Sequence, residues 1–181
     1  QADKEASRAA NHKEPYRLLK DLLFEYVDTS EKGFTTKREL LGMEIWRLYG
    51  VADKVAYINA IERAGVLTSY VRDGDEHYYI GYNLLEDYIR ASRIVEGHVS
   101  KECLKDYCLN ELFKIDCNGT VTDYGNESIF AMVCSLYAIK NNEECIDIID
   151  AIEDEWDRDR IIDDYLKTFT RRNPQYSLTQ I

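Results

Sequence analysis

Leu67-Thr-Ser-Tyr-Val71 and His77-Tyr-Tyr-Ile80 are short runs rich in β-branched and aromatic residues, and Arg72-Asp-Gly-Asp-Glu76 joins them. An Asp-Gly pair between two such runs is a strong signal for a hairpin, because the favoured two-residue turns need positive φ at their central positions. The flanking sequence changes period. Upstream, Val51, Val55, Ile58 and Ile61 recur at helical spacing and stop at Ala64-Gly65. Downstream, Asn83 with Glu86 caps a helix on which Leu84, Tyr88, Ala91 and Val95 share a face, with Gly97 closing it.

Further toward the N-terminus, Thr36 with Glu39 three residues on makes a capping box that opens a helix toward Tyr49, and Gly50 ends it. Before it, Tyr16, Leu19, Leu22, Leu23 and Tyr26 mark the buried stripe of a helix from Pro15 to Val27, and Gly33 breaks the pattern. Three helices, a hairpin and a helix is winged-helix order. A winged-helix domain is therefore expected over residues 15–98, preceded by a flexible, polar segment at 1–14.

Residues 99–173 read as helices only, an α-helical domain followed by a loose tail at 174–181. Ser100 caps a helix with Leu104, Tyr107, Cys108 and Leu112 inward, and Asp116 to Gly125 is a loop containing Gly and Asn. Asn126 to Lys140 is apolar nearly all round (Ile129, Phe130, Met132, Val133, Leu136, Tyr137, Ile139), which predicts the central, most buried element. Cys145, Ile148, Ile149 and Ile152 form one neighbouring stripe and Ile162, Tyr165, Leu166 and Phe169 another, with a bend expected in the acidic stretch Glu153 to Asp159. Pro174 ends helical structure. Two antiparallel helix pairs are how a helical-repeat array begins, although no sequence period accompanies them. The fold class is mainly α: a winged helix followed by a repeat-like helical bundle.

Composition narrows the function. The 181 residues carry 23 basic and 34 acidic side chains, a formal net charge of −11. Phosphate contact needs clustered Lys and Arg, so nucleic acid is disfavoured as a partner. An apolar fraction of 45% suffices for a packed core. No run of about 18 apolar residues is present, so no membrane partner is expected. Gln1 is no translation start, and the chain reads as a piece of something longer. Cys103, Cys108, Cys117, Cys134 and Cys145 form an odd set with no export signal, which favours reduced thiols and a cytoplasmic location.

The motifs of catalysis are missing. No G-x-x-x-x-G-K-[ST] loop, G-x-S-x-G elbow or H-E-x-x-H pair occurs, and the histidines are only His12, His77 and His98. The expectation is no enzyme, no catalytic residue, no cofactor and no metal. His98, Cys103, Cys108 and Cys117 are the one conceivable zinc set, but Cys103 and Cys108 are spaced to diverge around a helix, and core cysteines are the favoured reading. Asp116 to Asp123 lacks the glycine of a calcium loop, with Val121 in its place. The Glu153 to Asp164 acidic cluster suits a basic partner or a divalent ion, but reads first as a solvated face.

For a wing on DNA, Lys54 and Arg63 are countered by Asp53 and Glu62, and Arg72 by Asp73, Asp75 and Glu76. A wing that faces protein accounts better for these charges. Tyr70 and Tyr79 are its candidate contact residues, with packing onto the domain's own helices the other reading.

The stretch Val55 to Leu67, the turn, and His77-Tyr-Tyr-Ile-Gly-Tyr-Asn-Leu-Leu-Glu-Asp-Tyr-Ile-Arg-Ala91 resemble the winged-helix module of STAND-class signalling ATPases, especially NACHT-type proteins. Gly65-Val-Leu67, Tyr78-Tyr-Ile80 and Glu86-Asp-Tyr-Ile-Arg-Ala91 carry the resemblance, which covers residues 37–96. Where that family has Phe-x-His before the helix, this chain has Ile80-Gly-Tyr82. The resemblance implies an ATP-binding NTPase module upstream in the same protein, then the winged helix, then a helical sensor or scaffold. The chain would be a non-catalytic regulatory fragment that couples nucleotide state to assembly, with that NTPase module as partner and a homo-oligomer as a further candidate. Glu86, Tyr88 and Arg90 become candidate interface residues on the helix facing that module. The alternative is a self-standing winged-helix regulator that binds DNA.

Overall fold

Asp73 and Gly74 adopt φ values of 53° and 87°, the left-handed pair that a tight hairpin turn of this hand requires. The computed structural model describes residues 15–30 and 33–172. It divides into two compact units, residues 1–89 and 90–181, and the expected segments at 1–14 and 174–181 lie outside the described residues. The chain is mainly helical with one small antiparallel sheet.

In the first unit the order is α1 (Pro15–Thr29), β1 (Thr35–Thr36), α2 (Lys37–Gly42), α3 (Ile45–Leu48), α4 (Lys54–Arg63), β2 (Leu67–Arg72) and β3 (Asp75–Ile80), followed by the start of α5 (Asn83–Gly97). The sheet runs β1-β3-β2. Tyr70 faces His77 and Thr68 faces Tyr79 on one side, while Leu67 faces Ile80 and Ser69 faces Tyr78 on the other. Leu67, Tyr78 and Ile80 are buried, so the second side is the core side. Sequence reading missed β1, which pairs Thr35 with Tyr78 and Thr36 with His77.

The capping box forms as its residues demand. Thr36 Oγ1 accepts the Glu39 amide at 3.2 Å and Glu39 Oε2 accepts the Thr36 amide at 2.8 Å. The helix it opens does not run to Tyr49. Met43 is extended (ψ 143°), and the Glu25 carboxylate on α1 accepts the amides of Glu44 and Ile45 at 2.6 and 2.9 Å. A side chain distant in sequence thus caps α3 and stabilises the break. Beyond it Trp46 is sealed in the core, its indole donating to the Leu40 carbonyl at 2.7 Å and its ring edge-on to Tyr57 at 5.6 Å. The next helix begins later than expected, at Lys54, because Asp53 caps it by accepting the Ala56 amide at 2.9 Å. Val51 is buried ahead of that helix, whereas Val55 is exposed and Tyr57 takes the core position.

Helix α5 also departs from expectation. Ala91 and Val95 are buried, but Leu84 and Tyr88 are exposed. Ile89 packs in the first core, and Ala91, Ile94 and Val95 pack in the second, so no single stripe runs its length.

The second unit holds α6 (Lys101–Tyr107), a π-helical turn (Cys108–Leu112), α7 (Glu127–Asn141), a 3-10 segment (Ile146–Ala151) and α8 (Glu155–Arg172). Ser100 caps α6 by accepting the Cys103 amide at 3.3 Å. Residues 113–126 form the expected loop, pinched by a bridge between Ile115 and Val121. Helix α7 is the central element, with Phe130, Met132, Val133 and Cys134 buried, although Ile139 is exposed. Cys145, Ile148, Ile149 and Ile152 are fully buried as read, but Ile148 and Ile149 lie on a 3-10 segment that Cys145 and Ile152 flank. From α8, Ile161 and Tyr165 are buried and Ile162 and Leu166 pack partly; the Phe169 side chain lies outside the described ones.

Candidate protein-docking surface

The side of the sheet away from the core is aromatic. Tyr70 stacks on His77 with centroids 5.3 Å apart and planes at 20°. Phe34, just before β1, meets His77 edge-on at 5.4 Å, and Tyr79 lies 5.9 Å from Tyr70. The four rings belong to one face because strand residues two apart share a side and paired residues face together. Two of the predicted residues, Tyr70 and Tyr79, are therefore brought together. Phe34 and His77 went unrecognised because the strand that aligns Phe34 is too short to leave an alternation.

An open groove of about 1270 Å³ lies between residues 36–42 and the turn residues Gly74–Glu76. Its charges are largely spent within the protein. Lys37 Nζ lies 2.6 Å from Glu76 Oε2, and this ammonium holds the Glu76 carboxyl below its ordinary range. The Thr36 amide does the same for Glu39. Burial, then the neighbouring Glu76 carboxylate, pushes the Tyr78 phenol up to about 12. The hairpin tip carries Asp73, Gly74 and Asp75, all exposed. Such a surface offers phosphate little attraction.

The predicted α5 residues divide. Tyr88 is exposed beside Leu84, one helical turn away, and Tyr82 is exposed just before the helix. Glu86 and Arg90 are half-buried and each interacts within the protein, and Arg90 falls in the second unit. The structure thus leaves Tyr88 as the exposed member of that set.

In the second unit the acidic stretch is not simply a solvated face. Asp157 is 1% exposed, and its Oδ2 accepts the Val121 amide at 3.0 Å. Arg160 Nη1 lies 2.6 Å from Glu127 Oε1, and Nη2 lies 3.6 Å from Asp157 Oδ1. The guanidinium sits 4.6 Å from the Tyr124 ring centroid and 5.1 Å from that of Trp156. Helical periodicity cannot reveal this cluster, because Val121, Tyr124 and Glu127 reach α8 from far away in sequence.

The conceivable zinc set is not assembled. Cys103 and Cys117 are exposed, Cys108 is buried, and the His98 ring packs on Tyr107 at 4.6 Å. Among the described residues no group of three or more His, Cys, Asp or Glu is placed to hold a metal. Asp116 accepts the amides of Asn118 and Thr120 at 2.9 and 3.0 Å, and these bonds lower its carboxyl below the ordinary value. No described helix is long and apolar enough to cross a membrane. Compared with family models, curated proteins and solved structures, the chain matches none.

Proposed function

We propose that this chain is a winged-helix domain followed by a repeat-like helical domain, acting as a non-catalytic regulatory and protein-interaction part of a STAND-class, NACHT-like NTPase. The observation that carries the reading is the aromatic face Phe34–Tyr70–His77–Tyr79 on a sheet of order β1-β3-β2, with the four helical segments α1–α4 before the hairpin and α5 after it. Rings already held against one another offer contact area at low entropy cost, which suits a protein partner. The balanced charges of the groove and the acidic wing tip argue for protein over nucleic acid. The partner is the NTPase module of the same protein, and rotation of this domain upon it would couple nucleotide state to assembly.

The test is to identify the reading frame that includes these residues and to mix the NTPase module it encodes with residues 1–181. A complex weakened at least about tenfold by Tyr70→Ala with Tyr79→Ala is expected. No binding at high micromolar concentration, or tight, salt-dependent binding of random-sequence duplex DNA instead, overturns the reading.

A further inference from the structure

Trp156 and Tyr124 are 68% and 52% exposed, high values for rings with so much apolar area. Each nevertheless lies against the Arg160 guanidinium, which orders it before any partner arrives. That cation is spent internally. Glu127 holds Nη1 at 2.6 Å and Asp157 approaches Nη2 at 3.6 Å, so little positive charge reaches the surface. Asp157 Oδ1 has no hydrogen-bond partner although the residue is 1% exposed, and Arg160 Nε and Nη2 opposite it lack one as well, 3.6 Å being too long to count. With one guanidinium against the Glu127 and Asp157 carboxylates, the group beside the rings carries one net negative charge.

The surroundings have the same sign. Residues 153–160 hold five carboxylates against two guanidiniums, one of which is the consumed Arg160. Glu153, Glu155 and Asp159 are exposed around Trp156. From the loop side, the one acid adjoining Tyr124, Asp123, pairs with Lys114 at 2.9 Å. Exposed π-faces within a negative field attract cations borne on a polypeptide, through cation–π contact at the rings and Coulomb attraction at the rim. A divalent ion fits poorly, since no described cluster is placed to ligate one.

We infer that the Tyr124–Trp156 face of the second unit docks a Lys/Arg-bearing segment of another polypeptide, with Trp156 as its aromatic anchor. This goes beyond the aromatic sheet face of the first unit and does not rest on it. The test uses the full chain labelled with ¹⁵N, in which Trp46 and Trp156 supply the only two indole signals. The probe is a synthetic peptide of alternating Lys, Arg and Leu, with a Glu/Asp/Leu peptide as control. Saturable shifts of the Trp156 indole and the Tyr124 amide are expected, with the Trp46 indole unmoved, and affinity should fall at least about tenfold between low and moderate salt.

Trp156→Ala should weaken binding about tenfold or more. Glu153→Gln with Glu155→Gln and Asp159→Asn should do so at low salt while keeping both rings. Unchanged amide signals of the buried second-unit residues Val121, Phe130 and Tyr165 in each variant report an intact fold there. Equal binding by Trp156→Ala, equal binding of the acidic peptide, or unsaturable shifts scattered over the surface overturns the inference. Saturable movement of the same signals by submillimolar calcium or magnesium chloride also overturns it, in favour of a metal ion.

Discussion

The hydroxyl of Tyr26 donates to the carbonyl of Tyr78, 52 residues further along, at 3.1 Å in the buried core, and lies 3.0 Å from the Gly33 carbonyl. One side chain from the first helix thus ties together the centre of the sheet and the turn before its short outer strand. Buried carbonyls must be satisfied, and the single phenol hydrogen is shared between that of Tyr78 and the half-buried Gly33 carbonyl. Tyr26→Phe keeps the ring and strips this shared bond, so it should cost about 1–2 kcal/mol. The check is urea denaturation, where the midpoint should drop with the slope unchanged.

Arg160 is the counter-charge for two buried acids. Replacing it with Met leaves Glu127 and Asp157 buried without a counter-charge, and loss of one partner of a buried ion pair costs about 3–5 kcal/mol. The guanidinium side chain is 29% exposed, so about 2–3 kcal/mol is expected after solvent screening. The double variant Arg160→Met with Asp157→Asn should lose less than the two single losses together. Additive losses in a denaturation cycle would contradict the coupling.

Acid should loosen the first unit through Glu39 and Glu76. Both carboxyls have folded-state pKa values below the ordinary 4.5, held there chiefly by the Thr36 amide and the Lys37 ammonium. As pH falls, the unfolded chain therefore takes up protons first, and the stability these groups contribute is lost between about 4.5 and the lowered values. Above that window it is fully present. Glu76→Gln should flatten the slope of stability against pH there, and leave the slope between pH 6 and 8 untouched.

The thiols should divide into two classes. Cys103 and Cys117 are exposed, whereas Cys108, Cys134 and Cys145 are buried. Burial pushes the Cys108 thiol up to about 12 and that of Cys134 well above its ordinary value, so neither supplies reactive thiolate. Titration of the native chain with a thiol reagent should show two fast equivalents, and all five should react only in denaturant.

What was legible in the sequence was local. The Asp73-Gly74 turn, the Thr36/Glu39 box and the Ser100 cap each involve residues a few positions apart, and each appears as read. What escaped depends on distant partners. Thr35 and Thr36 are a strand only because Tyr78 and His77 lie alongside. The helix opened by Thr36 stops at Met43 because Glu25 caps the next one. Asp157 looks like one acid among many until Val121 and Arg160 arrive from elsewhere. Of the interface candidates, Tyr70 and Tyr79 meet on one face, while Glu86 and Arg90 are engaged within the protein.

The contrast between Trp46 and Trp156 gives the molecule its own optical gauge. One indole is 1% exposed in the first unit and the other 68% exposed in the second. Emission from the former should be blue and insensitive to iodide, and that from the latter red and readily quenched. A single intrinsic spectrum, resolved by quenching, therefore follows the two halves of the chain separately without any added label.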